Sequence, residues 1–225
     1  MPVGMMTLAA IAQEGKFTVT GTFEGRKDSV TITLRDVTNW QTIAEETRAI
    51  TGETYEFTFD LNDVALLYVS DVKGFTSVIP AIPGETLLFY QDDKNASHMG
   101  GSQFYVDYAE ALRGVEPLLL GIKECNDRFS GKYGALYPDE LNLYSDFYFM
   151  LYNRMIDVVQ DYVKTHPDQD AAAALIFLLT GDYLDIENTA ALLTERARNS
   201  VAANLYKKIN TGVSYRYRPE YDSDN

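Results

Sequence analysis

The chain has 225 residues, 46% of them apolar, with 16 Tyr and 11 Phe. That is enough to bury one large core or two small ones, and far from a disordered composition. Nineteen Lys and Arg stand against 33 Asp and Glu, a net charge of −14. Residues 1–100 hold 7 basic and 14 acidic side chains and residues 101–225 hold 12 and 19, so each part carries −7 and neither offers a basic lobe. A phosphate backbone is repelled by such a field, which argues against nucleic acid as a partner.

Residues 1–15, "MPVGMMTLAAIAQEG", read as a leader or signal-peptide remnant. Its short apolar run ends in Ala10-Ile11-Ala12, the A-x-A pattern of a signal-peptide cleavage site, although no Lys or Arg precedes the run. The expectation is an exported protein of the periplasm or cell envelope. No other stretch reaches the roughly 18 apolar residues of a membrane span, so the mature chain is expected not to be transmembrane.

Residues 16–100 predict an antiparallel β domain. Phe17, Val19, Gly21 and Phe23 alternate with polar residues, as do Val30, Ile32 and Leu34, and Tyr55, Phe57, Phe59 and Leu61. This period of two marks half-buried strands. "EGRKD" between the first two reads as a hairpin turn. "WQTIAEETRAITG" leans to strand, and "VALLYVSD", "FTSVIPAI" and "ETLLFYQDD" add three more. The strands together point to a small β-sandwich or open barrel.

Residues 101–212 predict an all-helical lobe. From a capping Ser102, apolar residues fall at Phe104, Tyr108, Ala111, Val115, Leu118, Ile122, Cys125 and Phe129 in steps of four and three, one helical stripe. Pro117 should kink or restart that helix. A second long helix carries Tyr144, Tyr148, Leu151, Met155, Val158 and Tyr162, thickened by Leu143, Phe147, Met150, Ile156, Val159 and Val163. The width of this stripe predicts burial on two sides. "DQDAAAALIFLLTG", closed by Gly181, "IENTAALLT" and "ARNSVAANLYKKIN" predict three more helices, and residues 213–225 read as a polar tail or linker. The fold class is therefore α+β, a small antiparallel β-sandwich or open barrel followed by helices.

Candidate chemistry is sparse. There is no G-x-G-x-x-G, P-loop, C-x-x-C or H-E-x-x-H. Cys125, the only cysteine, sits on the apolar stripe, where it acts as a small hydrophobe rather than a nucleophile. His98 reads as a loop residue, and His166, before Pro167, as a capping or turn residue. Asp168 and Asp170 suit a helix N-terminus, and "DYLDIEN" lacks the spacing of a calcium loop. Tyr144, Tyr148, Tyr152 and Tyr162 read as core with hydroxyls at its rim, whereas Tyr215, Tyr217 and Tyr221 in the tail suit docking. No catalytic, cofactor or metal residue is expected.

"KFTVTGTFEG", "DSVTITLRD", "TSVIPAIPGE" and "GGSQFYVDYAEAL" resemble the N-terminal domain of unknown function that precedes the thioredoxin-like domain in Bacteroidetes thiol:disulfide interchange proteins. The resemblance runs from about Lys16 to about Lys208. In that family a W-C-x-x-C-type domain usually follows; residues 1–225 contain no such motif and one cysteine. The resemblance therefore implies a non-catalytic accessory module, either a stand-alone protein or the front half of a longer oxidoreductase. Its expected partner is a thioredoxin-like domain or a second copy. A glycan- or peptide-binding module using aromatics of the β domain is the alternative.

Overall fold

A computed structural model describes residues 15–23, 29–50, 54–71, 76–91, 97–179 and 183–213. Eight strands come first: β1 (Lys16–Phe23), β2 (Ser29–Asp36), β3 (Thr42–Ala49), β4 (Thr54–Asp60), β5 (Ala65–Asp71), β6 (Thr76–Ala81), β7 (Thr86–Gln91) and β8 (Ser97–Gly101). They form two four-stranded sheets, ordered β4-β1-β7-β8 and β3-β2-β5-β6. One buried core is shared by both, as in a sandwich: Phe17, Val19, Phe57, Leu87 and Phe89 from the first sheet, Val30, Ile32, Leu34, Leu67 and Val69 from the second. Register sets these side chains against each other, with Val19 opposite Phe57 and Leu87, and Ile32 opposite Val69.

Two expectations are corrected. β1 and β2 do not form a hairpin: they lie in different sheets, β1 pairing with β4 and β7, β2 with β3 and β5. The turn residues "EGRKD" fall at 24–28, outside the described residues. Nor is the pairing wholly antiparallel, since β1 and β7 run parallel. "WQTIAEETRAITG" does supply a strand, β3. The β2–β3 turn holds the only Trp, Trp40, at φ 62°. Asp36 Oδ1 accepts the backbone N–H groups of Thr38 and Asn39 there, and Asn39 Oδ1 accepts that of Gln41.

β8 was not foreseen. "SHMGG" has no apolar alternation and two glycines, yet it extends the first sheet as the partner of β7. Gly101 at φ 110° is required where the chain leaves the sheet: a Cβ there would overlap the Thr86 carbonyl oxygen. His98 is thus a strand residue, opposite Tyr90 and stacked on its ring at 5.6 Å.

The helices are α1 (Gln103–Phe129), α2 (Pro138–Thr165), α3 (Asp170–Leu175) continued by a 3₁₀ turn to Leu178, α4 (Tyr183–Ala190), α5 (Glu195–Arg198) and α6 (Asn204–Val213). The predicted final helix is therefore two short ones broken at 199–203, while Gly181 lies outside the described residues. Ser102 is the N-cap of α1 by backbone, but its side chain makes no capping bond. Pro117 neither breaks nor restarts α1, which runs through it; the proline removes one N–H donor without ending the helix.

The helices close one end of the sandwich. Phe104, Tyr105 and Tyr108 of α1 are buried, with Tyr105 set against Phe17 at 6.4 Å. Tyr105 donates its hydroxyl to the Pro80 carbonyl at 2.7 Å. Pro80 lies on β6, an edge strand where proline is tolerated. Asn204 and Lys208 of α6 reach Asp63 at 3.3 and 2.7 Å, a second tie between sheets and helices. The alanine-rich α3, Ala171 to Ala174, is fully buried against α1 and α2.

Candidate interaction surface

The sequence candidates for chemistry are not brought together. Cys125 is buried, and burial, then the neighbouring Glu124 charge, pushes its thiol above the ordinary value, the opposite of an activated nucleophile. His98 is on the outer face of the first sheet. His166 ends α2, its ring stacked on Tyr162 at 4.3 Å and its Nδ1 within 2.9 Å of Thr165 Oγ1. Asp168 and Asp170 both hold Arg196, at 2.8 and 2.9 Å, and Thr194 donates to Asp168 at 2.7 Å. Among the described residues no group of three His, Cys, Asp or Glu is placed to hold a metal ion, and no helix is long and apolar enough to cross a membrane.

A cleft of about 510 Å³ lies where sheets and helices meet, between Ile82, Pro83, Glu85, Phe104, Arg196 and Val201. Its one cation is already committed to two aspartates. The outer face of the first sheet is threonine-rich, Thr18 and Thr58 lying 3.2 Å apart across the ladder. It offers Tyr90 as an aromatic, beside the exposed Leu88.

The feature that stands apart is the far half of the α1–α2 hairpin. Only its near half is covered. Val115 and Met155 are the last buried residues of their helices on the way out, apart from Cys125 between the two helices. From there α1 continues fourteen residues, about 21 Å at 1.5 Å per residue, as a two-helix arm. Here the expectation that α2 is buried on two sides fails. Leu143 is 67% exposed, Phe149 59% and Leu120 63%, and Phe129, Leu141, Phe147 and Met150 are exposed as well. The apolar spacing is the same along the whole helix, but α3 and α4 pack only on its near half. Tyr144, Tyr148, Tyr152 and Tyr162 are accordingly half-buried rather than core.

The seam of the arm is set by close approach. A Cβ on Gly121 would lie 2.7 Å from Leu151 Cδ1, and one on Gly114 3.1 Å from Val158 Cγ1. At 100° per residue this seam divides the arm into two flanks. One carries Phe129, Leu141 and Phe149 with half-buried Ile122, Tyr148 and Tyr152. Its rings touch in sequence, Phe129 on Tyr148 at 6.2 Å, Tyr148 on Phe149 at 5.7 Å and on Tyr152 at 6.2 Å. This flank continues the groove that α3 fills nearer the body. The other flank carries Leu120, Leu143, Phe147 and Met150.

The tip between the helices is tied down. Asp127 accepts from Lys123 at 2.9 Å and Lys132 at 2.7 Å, which hold its carboxyl below the ordinary value, Lys132 most. Arg128 lies over the rings of Tyr133 and Tyr144 at 4.6 and 5.5 Å. Glu140 accepts the N–H of Tyr137, and Pro138 starts α2. The exposed apolar surface is thus held in a set shape. Monomeric proteins seldom expose such patches without a use.

No protein-family model matches the chain, and no curated protein matches it. The reading of function therefore rests on the arm and the residues themselves. In the sequence the arm was visible as apolar spacing; that nothing among the described residues covers it was not.

Proposed function

We propose that this protein is a non-catalytic, partner-positioning module of a cell-envelope thioredoxin-like thiol:disulfide interchange system, and that it docks its protein partner on the α1–α2 arm. The observation that carries this reading is the flank of exposed Phe129, Leu141 and Phe149 with half-buried Tyr148 and Tyr152 beside them. Exposed aromatic side chains are among the residue types that dominate protein–protein binding energy. A partner helix laid on this flank would complete the layer that α3 begins. The thiol:disulfide setting and the envelope location are supported by the sequence resemblance. The buried thiol of Cys125 supports a role without disulfide chemistry of its own.

The alternative, a glycan- or peptide-binding module, draws on Tyr90 and His98 stacked on the first sheet. Around them the face is lined by threonines such as Thr18 and Thr58, and the one exposed aromatic it adds among the described residues is Tyr90 itself. The arm is the stronger candidate.

Calorimetric titration of the purified chain with a reduced thioredoxin-like oxidoreductase of the same envelope tests the reading. The expected result is micromolar binding that Leu141→Glu with Phe149→Glu abolishes, with no insulin reduction by the chain itself. Insulin reduction at a thioredoxin-like rate, or binding that the double variant leaves intact, would count against it.

A further inference from the structure

We propose that the cleft where sheets and helices meet binds a small organic amine, an ammonium group carried on an apolar or aromatic body. The cleft lies on other elements than the arm, so this goes beyond the partner reading, and the two stand or fall separately.

Three observations select this ligand class. The first is size and lining. The cleft holds about 510 Å³, within the roughly 300–1,000 Å³ of small-molecule sites, which favour the meeting of two structural units. The turn from β6 to β7 contributes Ile82, Pro83 and Glu85, the first turn of α1 contributes Phe104, and the link from α5 to α6 contributes residues 199–202. Ile82, Phe104 and Ala202 are buried, while Val201 is 47% exposed. An apolar body set against Val201 takes that surface out of water. The second is charge. Arg196 is the one cation of the lining, and it donates Nε to Asp168 and Nη1 to Asp170. Glu85 is a further carboxylate there, and among the described residues no cation or donor engages it. Three carboxylates in and beside the cleft thus stand against one guanidinium, in a chain of net charge −14. Such a balance draws in cations and repels acids. The third is the donor set, which separates an organic cation from a metal ion. Among the described residues no three His, Cys, Asp or Glu side chains converge to hold a metal. One charged acceptor and one neutral amide suit an ammonium instead. Glu85 accepts one of its N–H groups with the charge, and Asn199, whose side chain has no partner among the described residues, offers Oδ1 to another.

Amide NMR spectra of the full chain, titrated at neutral pH with phenylethylamine, read the site directly. Phenylethanol and phenylacetate serve as the neutral and acidic counterparts of the same body. The expected result is a saturable shift of the Glu85, Phe104, Val201 and Ala202 signals at millimolar amine or below. The alcohol is expected to bind about tenfold more weakly, and the acid to leave these signals in place. Glu85→Gln keeps the shape and removes the charge, and is expected to weaken the amine about tenfold, as for a lost charged hydrogen bond. An amine that gives no saturable shift up to tens of millimolar overturns the proposal. So does an acid or alcohol that binds as well as the amine, or an amine indifferent to Glu85→Gln in a chain whose other signals are unchanged. Because the comparison of amine, alcohol and acid on the wild-type chain is decisive by itself, a variant that fails to fold does not rescue the idea. A cleft that takes no amine in a chain that still binds the oxidoreductase would remove this site and leave the partner reading standing.

Discussion

Tyr105→Phe removes one hydroxyl and nothing else, at the point where the helices are fastened to the sheets. The side chain is 0% exposed and its hydroxyl donates to the Pro80 carbonyl at 2.7 Å. Phe keeps the ring against Phe17, so no cavity opens and the cost is that of the lost bond and of a buried carbonyl left without its donor. That is about 1–3 kcal/mol. For a chain of this length each kcal/mol lowers the melting temperature by about 2–4 °C, so a fall of roughly 2–12 °C is expected. Tyr105→Ala, which also empties the ring's space, should cost about 3–5 kcal/mol. Urea unfolding followed by circular dichroism measures both, and the slope should not change for Tyr105→Phe, since the surface exposed on unfolding is the same. Burial also holds Tyr105 and Tyr108 protonated well above their ordinary values. Their folded values are raised, so this contribution is complete below about pH 10, the unfolded tyrosine value, and is lost as pH climbs above it. Tyr105→Phe should shallow that alkaline decline. A Tyr105→Phe protein with wild-type stability would mean that this hydroxyl does not fasten α1 to β6, and the closing of the sandwich by α1 would need another explanation.

Other expectations follow from the same geometry. Met155→Ala, at the last buried position before the arm, should cost about 2–5 kcal/mol, while Leu143→Ala or Phe147→Ala should stay within about 0.5 kcal/mol of wild type in the monomer; thermal melts at low concentration separate the two cases. Cys125 should react slowly with a disulfide reagent at neutral pH, and fast only once the chain is unfolded, because burial raises its thiol; rapid stoichiometric labelling of the native chain would contradict its placement between the helices. Burial raises Asp63, but its bonds to Lys208, the Val64 N–H and Asn204 outweigh that and leave it below its ordinary value. Its stabilising contribution is therefore present above about pH 4, the unfolded carboxylate value, and lost as pH falls below it. Lys208→Met should destabilise by at most about 1 kcal/mol, as for a partly exposed pair, at pH 7 and not at pH 3, read by urea midpoints at both.

Most of the fold was legible because its signals are local. The period of two in "TYEFTFDL" and the four-three steps of α1 and α2 report which side of an element is apolar. What the chain order does not report is pairing. β1 and β2 are adjacent in sequence and each alternates, so a hairpin was the simplest inference, yet the register that buries Phe17 and Val19 sets β1 between β4 and β7. β8 was hidden because it lacks apolar alternation and because Gly101 serves a close approach to the Thr86 carbonyl rather than a turn. The arm shows the limit most clearly. Leu143, Phe147 and Met150 have the spacing of core residues, and a helix carries the same pattern whether its cover comes from its own chain or from another. Only the reach of α3 and α4 distinguishes the two.

The account's central claim is that the arm is a protein docking surface. A photo-crosslinking residue in place of Phe149, in living cells of the source organism, tests it most directly, with the same residue in place of Thr47 on the edge strand β3 as control. The account predicts an adduct to a thioredoxin-like protein from position 149 and none from position 47. Adducts that are equal at both positions, or none at position 149 in a folded and expressed protein, would contradict it.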